Sequence, residues 1–270
     1  MSIHIVIPCG GSLLFQKRSG YVLSEERHRL IVERLRTKST VTVQELVDLF
    51  NSSPATIRRD LNYLHKCGLV QKVHGGAASI STDFNTTEPD MSAKALLFTK
   101  EKHAIAELAA NYITDDDFVY IDAGSTTEVL LHHLKSKITT FVTNGIAHAT
   151  FLAARQYNVI LLGGHIKSNT GAVVGDTALE QLEKYNFTKG FFGTNGISIG
   201  SGFTTPEPAE AAVKQKALAR CRHAYVLADP SKFEKVTPIT FSSVSGASII
   251  TTHLVNRVYR KYTVVEEVDP

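Results

Sequence analysis

Ser53-Pro54-Ala55-Thr56-Ile57-Arg58-Arg59-Asp60-Leu61-Asn62-Tyr63-Leu64-His65-Lys66 is the stretch on which the reading of this chain turns. Ser53 is placed to cap a helix and Pro54 to occupy its first position, where a missing N–H costs nothing. At about 100° per residue, Ile57, Leu61 and Leu64 fall on one apolar stripe. Ala55, Arg59, Asn62 and Lys66 lie opposite, with Thr56 and Arg58 on the flanks, so the outward face is polar and basic. Just upstream, Thr42-Val43-Gln44-Glu45 has the form of a capping box and opens a short helix with Leu46, Leu49 and Phe50 on its apolar side. Asn51-Ser52 is the break between the two. Earlier still, Ser24 can cap a helix carrying Glu25 and Glu26 in its first turn and Leu30, Ile31 and Leu35 at helical spacing. Two short helices joined by a tight polar turn form a helix-turn-helix, whose second helix enters the major groove by its amino-terminal residues. Gly68 is expected to end that helix. Leu69 to Gly76 then alternates apolar and polar residues before a glycine turn, as a β-wing does.

Groove contact is therefore expected of Arg59, and base-edge or phosphate contact of Arg58; the alternative for both is a surface charge paired with Asp60 or a neighbour. Ser53 and Thr56 are expected to cap the helix and touch phosphate, and Asn62 shares the outward face. Lys72 and His74 can reach backbone phosphate from the wing, although His74 can equally stabilise the wing turn. Asp60 suits the orientation of an arginine better than a place facing anionic DNA.

Thr56 to Asn62, followed by Leu64, Gly68, Leu69, Val70 and His74-Gly75-Gly76-Ala77, closely resembles the winged helix-turn-helix of the DeoR family of bacterial repressors of sugar metabolism, over residues 23–77. The charge distribution agrees. Of 270 residues, the first 77 hold 11 basic and 6 acidic ones, a net of +5, whereas the remainder carries −2, so the chain's net +3 averages two unlike parts. A basic module is the usual electrostatic footprint of nucleic-acid binding, although an excess of this size taken alone fits a solvated surface equally well.

Composition excludes other classes. Hydrophobic residues make up 43% and charged residues 20%, which excludes disorder as the main state. No apolar run approaches the roughly 20 residues of a bilayer-spanning helix, so no membrane partner is expected. Cys9, Cys67 and Cys221 are far apart and lack zinc-like spacing, which fits a reducing cytoplasm. The first 21 residues make a poor signal peptide, since the basic pair Lys17-Arg18 follows the apolar stretch instead of preceding it. They read as an upstream extension dispensable for folding. Residues 78–98, rich in Ser, Thr and Asn, read as a linker between a module at 22–77 and a second domain at 99–270.

In that second domain a helix is expected from about Lys100 to Tyr112, and strand-like and helix-like runs then alternate. Strands are expected at 118–122, 140–143, 159–162, 190–193, 224–228 and 247–251, with helices near Leu130, Ala149, Leu182 and Leu218 separating most of them. The pattern implies a doubly wound, Rossmann-like α/β domain of parallel strands, with ligands beyond the strands' carboxyl ends. Five such ends carry polar or glycine turns. Asp122-Ala123-Gly124-Ser125-Thr126-Thr127 places N–H groups and hydroxyls at a helix's positive end, which suits phosphate. Thr143-Asn144-Gly145, Gly163-Gly164, Thr194-Asn195-Gly196 and Asp229-Pro230-Ser231-Lys232 complete the set. Each alone is an ordinary cap or loop; together they suggest a shared pocket. Glu210 and Lys214, at i,i+4 spacing, are open to a second reading as a surface salt bridge.

These motifs also resemble the DeoR family's sugar-phosphate sensor domain, from residue 98 to 252, a domain similar in fold to ribose-5-phosphate isomerase and glucosamine-6-phosphate deaminase. The resemblance implies that Gly124 to Thr127 hold phosphate, that Lys214 and Lys232 supply cations, and that Asp122, Asn144, Asn195 and Glu210 meet sugar hydroxyls. It implies operator DNA and a phosphorylated sugar as partners, fructose 1-phosphate first among them, and a homo-oligomer that reads paired half-sites. An isomerase or deaminase with Glu210 or Asp122 as base is the alternative. No cofactor is implied, since no Gly-x-Gly-x-x-Gly follows a strand. His132-His133 is no metal site, because adjacent helix residues point apart.

Overall fold

The computed structural model describes residues 24–66, 69–79, 91–254 and 256–270; the expected extension at 1–21, Gly68 and most of the linker lie outside them. The amino-terminal module comprises α1 (Ser24–Thr37), β1 (Thr40–Thr42), α2 (Val43–Phe50), α3 (Pro54–Lys66), β2 (Gln71–Val73) and β3 (Gly76–Ala78). Both halves of the capping box form: Glu45 N–H donates to Thr42 Oγ1 (3.1 Å) and Thr42 N–H to Glu45 Oε2 (2.9 Å). Asn51, in the left-handed region, closes α2, and Ser53 Oγ accepts from Thr56 N–H (3.2 Å) to open α3. Ile57, Leu61 and Leu64 are buried in a core with Ile31, Leu35, Leu46 and Phe50. Leu49 departs from expectation and is 47% exposed: the eight-residue α2 turns only part of its apolar residues inward. The three strands pair antiparallel in the order β1-β3-β2. Gly76 is required there, because a Cβ would stand 2.0 Å from the Val41 carbonyl oxygen.

A clamp joins the first and third helices. Arg27 donates Nε and Nη2 to the two oxygens of Asp60 (2.5 and 3.1 Å), and His28 Nε2 lies 2.9 Å from Oδ1, all three residues being buried. Asp60 thus holds an arginine, as expected, and the arginine is on α1. Arg58 and Arg59 remain exposed.

After α4 (Met91–Ala95), within the expected linker, and α5 (Thr99–Ala110) comes the larger body. Its elements in chain order are β4 (Phe118–Ile121), α6 (Ser125–His132), β5 (Thr140–Thr143), α7 (Ile146–Ala154), β6 (Asn158–Leu161), β7 (His165–Ile166), β8 (Val173–Val174), α8 (Asp176–Glu183), β9 (Phe187–Gly193), β10 (Gly196–Ser198), β11 (Gly202–Thr205), α9 (Pro208–Ala219), β12 (Cys221–Leu227), β13 (Ile239–Ser242), β14 (Ser248–Thr251) and β15 (Val265–Glu267). Seven of the strands form one sheet, ordered β15-β14-β12-β9-β4-β5-β6 with every pairing parallel.

Alternation splits each strand between two cores. Val119 and Ile121 pack with Ile105, Leu130 and Leu152 beneath α5, α6 and α7. Tyr120 packs with Leu182, Phe192 and Val213 beneath α8 and α9. The sheet is covered on both faces, the doubly wound arrangement. Its order reverses at β4: the chain first builds outward through β5 and β6, then returns to the other flank with β9. The crevice beyond the carboxyl ends of β4 and β9 is the switch point where such sheets bind ligands. Three additions were not expected. A three-stranded sheet, β10-β11-β13, packs Ile197, Phe203 and Phe241 onto the α9 side, β7 and β8 pair antiparallel, and β15 extends the main sheet beyond the last expected strand.

Candidate functional site

The cleft at the switch point is lined by Ala123 to Thr126 after β4, Gly193 to Asn195 after β9, Glu210 and Lys214 on α9, and Leu227, Asp229 and Lys232 after β12. Lys94, Leu97 and Lys102 close it from the α4–α5 side. Gly124 stands before α6 and no side chain caps that helix. Its first-turn N–H groups therefore present a positive pole to the cleft.

The loop at this pole is held from behind. Thr127 is fully buried and its Oγ1 lies 2.6 Å from the Asp122 carbonyl oxygen, 2.8 Å from that of Gly124 and 3.2 Å from His148 Nε2. Asn144 Oδ1 accepts from Ala123 N–H (2.8 Å), and its Nδ2 donates to the Val173 carbonyl (3.3 Å). Thr127 and Asn144, both expected at the ligand, brace the turn and do not line the cleft. Gly163 and Gly164 do not line it either. Gly163 N–H donates to Gln181 Oε1 (2.9 Å). Gly164, at φ +147°, lets β8 approach where a Cβ would meet the Val174 oxygen at 2.5 Å.

The charges pair across the fold. Lys214 donates to Asp122 Oδ2 and to the Gly193 carbonyl (3.2 Å), while Gly193 N–H donates to the same Asp122 oxygen (3.0 Å). Burial raises the Asp122 carboxyl above its ordinary value, and Lys214 and the Gly193 N–H offset part of that rise. Glu210 accepts from Lys167 Nζ (2.8 Å) and Thr170 Oγ1 (3.0 Å). The expected alternative of an exposed Glu210–Lys214 bridge is thereby corrected: both are buried, on a helix face turned toward the sheet, and each is paired elsewhere. Asn195 Oδ1 accepts from Thr205 Oγ1 (3.2 Å). Asp229 caps the short turn 230–232 through Ser231 N–H and lies 4.0 Å from Lys232 Nζ. His148, behind the loop, is pushed by burial down to about 4.

Gly124, Ser125, Thr126, Asn195, Glu210, Lys214 and Lys232 are thus brought together, with Asp122 immediately behind Lys214. Lys94, Leu97 and Lys102 were not anticipated; a lysine in a polar linker or on a charged helix face carries no signal that separates it from a solvated one.

On the amino-terminal module, Arg58, Arg59 and Asn62 are exposed on α3, Thr56 is half-buried and Ser53 is exposed at its start. Lys72 and His74 are exposed on the wing. All seven residues expected at DNA lie on α3, its cap or the wing.

Family models match both parts: the DeoR C terminal sensor domain over residues 98–253 and the DeoR-like helix-turn-helix domain over residues 27–83. The chain belongs to the DeoR family. It is similar to the "Uncharacterized HTH-type transcriptional regulator FruR" of Bacillus subtilis, 43% identical over 92% of this chain and all of the relative. The glycerol-3-phosphate regulon repressor of Escherichia coli is 31% identical over 84% of this chain and 90% of its own length. Among solved structures, ribose 5 phosphate isomerase A from Neisseria gonorrhoeae aligns with 49% of this chain and 52% of its own, at 18% identity and a TM-score of 0.37. Among the described residues of this DeoR-family chain, no helix is long and apolar enough to cross a membrane, and no group of three or more His, Cys, Asp or Glu side chains could hold a metal ion.

Proposed function

We propose that this DeoR-family protein represses a sugar uptake or catabolism operon and that a phosphorylated sugar bound at the switch-point cleft controls its grip on operator DNA. The observation that carries the reading is the cleft itself: the uncapped amino-terminal pole of α6 faces Lys214 and Lys232, in a chain whose other module exposes Arg58 and Arg59. The helix pole and Ser125 and Thr126 suit a phosphate. Lys214, oriented by Asp122, and Lys232 supply cations, while Asn195 and Glu210 suit sugar hydroxyls. A relative named for a glycerol-3-phosphate regulon supports a phosphorylated polyol as ligand class, and fructose 1-phosphate is the first compound to try. Arg59, Arg58, Asn62, Ser53 and Thr56 contact DNA from α3, and Lys72 and His74 from the wing. One such module reads a half-site, so the working form is a homo-oligomer, acting on DNA in the cytoplasm.

Regulation is favoured over isomerase or deaminase chemistry because both expected bases are already engaged, Glu210 by Lys167 and Thr170 and Asp122 by Lys214 and the Gly193 N–H, and because relatives are named regulators and repressors. Calorimetric titration with fructose 1-phosphate, fructose and inorganic phosphate, beside operator gel shifts, tests the reading. The phosphorylated sugar should bind and change operator affinity while fructose does neither. Turnover of a sugar phosphate that Glu210→Gln abolishes would establish the enzyme instead.

A further inference from the structure

The cleft's volume is about 50 Å³, against roughly 300–1,000 Å³ for small-molecule pockets in general. A sugar phosphate therefore needs its walls to part. Most of those walls are strand ends or helices of the doubly wound body, fixed by the main sheet. The exception is the α4–α5 joint, residues 94–102, which precedes β4 and contributes no strand. Three observations single it out. Lys102 is 3% exposed, lines the cleft and donates its ammonium hydrogen to the Lys94 carbonyl in the last turn of α4. Phe98, between them, sits at φ +52°, a left-handed conformation that side chains other than glycine adopt rarely. Leu97 lines the cleft and at the same time packs against the hydrophobic core of the winged module.

We propose that this joint converts occupancy of the cleft into a change at the DNA-reading module, with Lys102 as a further ligand-contacting cation and Leu97 as the side chain that couples the two. The inference rests on the functional reading above and extends it. An incoming phosphate draws the Lys102 ammonium from the Lys94 carbonyl, which loosens the last turn of α4. Opening the cleft to the volume of a sugar moves Leu97, and Leu97 cannot move without disturbing its packing against the winged core. The ligand thereby discriminates between two arrangements of the modules, which is what a shift in DNA affinity requires.

The test uses the full chain and fructose 1-phosphate, with inorganic phosphate as a second probe. For wild type, Leu97→Ala, Leu97→Met and Lys102→Met, calorimetry sets the saturating concentration for each protein. Operator dissociation constants are then measured with and without ligand. Wild type should show a ratio within the roughly 5–150-fold usual for coupled sites. Leu97→Ala should fall to below about twofold, Leu97→Met should keep most of the ratio, and Lys102→Met should need at least about tenfold more ligand. Hydrogen exchange at residues 94–102 in wild type should rise on ligand binding, a readout independent of whether a variant folds. A Leu97→Ala protein with the wild-type ratio, or exchange at 94–102 unchanged by bound ligand, overturns the proposal alone. A wild type that binds neither fructose 1-phosphate nor phosphate overturns the functional reading as well.

Discussion

Asp60 in the winged module and Asp122 in the α/β body are both buried carboxylates paired with a cation from another helix, yet they serve different ends. Asp60 takes a bidentate Arg27 and His28, and both partners lie on α1, packed against α3. Asp122 takes Lys214 and a backbone N–H, and the lysine it holds faces a cleft. The same electrostatic device fixes a helix crossing in one place and aims a charge in the other. Removing one partner of a buried pair strands the other, whatever the purpose. The two carboxylates should therefore differ less in what their loss costs than in what is lost with them. Asp60→Ala should destabilise the winged module by about 3–5 kcal/mol and abolish operator binding, while fructose 1-phosphate still raises the melting temperature of the sensor transition. If the sensor stopped responding too, the division of labour would fail.

His148 gives the next largest effect and belongs to the sensor side. Its imidazole, buried behind the loop that opens α6, is held down to about 4 by desolvation. The unfolded chain takes up a proton near pH 6.5, and the folded chain does so only near 4. The stability this group contributes is thus complete above pH 6.5 and lost as pH falls toward 4, up to about 3 kcal/mol. Asp117, brought to about 2 by hydrogen bonds from Lys189, Thr114 and Thr188 that outweigh the upward push of burial, loses its contribution only at lower pH. Thermal melts of His148→Gln and wild type should therefore converge between pH 7 and 4.5, with the variant's midpoint falling less. Parallel curves would mean that the imidazole titrates normally and that the loop is more open than it stands here.

Most of the fold and part of the site were legible in the sequence, for reasons that differ between the modules. The winged module is built from local signals: the Thr42/Glu45 box, the Ser53 cap and the Ile57-Leu61-Leu64 stripe each act within a few residues, and each formed. The parallel sheet was readable because strands buried on both faces are apolar runs. Its smaller partner sheet was not, since Gly196–Ser198 and Gly202–Thr205 are short and glycine-bearing, and become strands by pairing with each other and with β13, against α9. In the cleft, the strand-end turns marked where polar residues gather, but the direction of each side chain was not readable. Asn144 and Thr127 have the chemistry of ligand contacts and use it on the loop itself. The pairing of Lys214 with Asp122, 92 positions away, replaced the local partner at i,i+4 that spacing suggested.

Lys214→Met sharpens the comparison from the cleft side. It removes a cation that the body holds in place and strands Asp122, so the melting temperature should fall; in the folded protein it should cost about 1.5–3 kcal/mol of sugar-phosphate affinity, the range for hydrogen bonds to charged groups. Operator binding without ligand should persist. Calorimetry and gel shifts on one preparation separate the two, and unaltered fructose 1-phosphate binding would remove Lys214 from the site.

The exposed cations of the winged module should behave otherwise, because nothing buried depends on them. Arg59→Ala should leave the melting temperature unchanged, weaken operator binding by about 1–3 kcal/mol and relax sequence preference at one position. Lys72→Ala, on the wing, should weaken binding to every duplex alike, and the effect is best read as a slope. Each phosphate neutralised releases condensed counterions, so the plot of log affinity against log salt should flatten by about one unit in the variant. The competing structural role predicts something different: a lysine that only stabilised the wing would alter affinity at all salt concentrations equally and leave the slope intact. Because Lys72 is exposed on a three-residue strand and every apolar residue of the winged core lies elsewhere, the slope is where its contribution must appear.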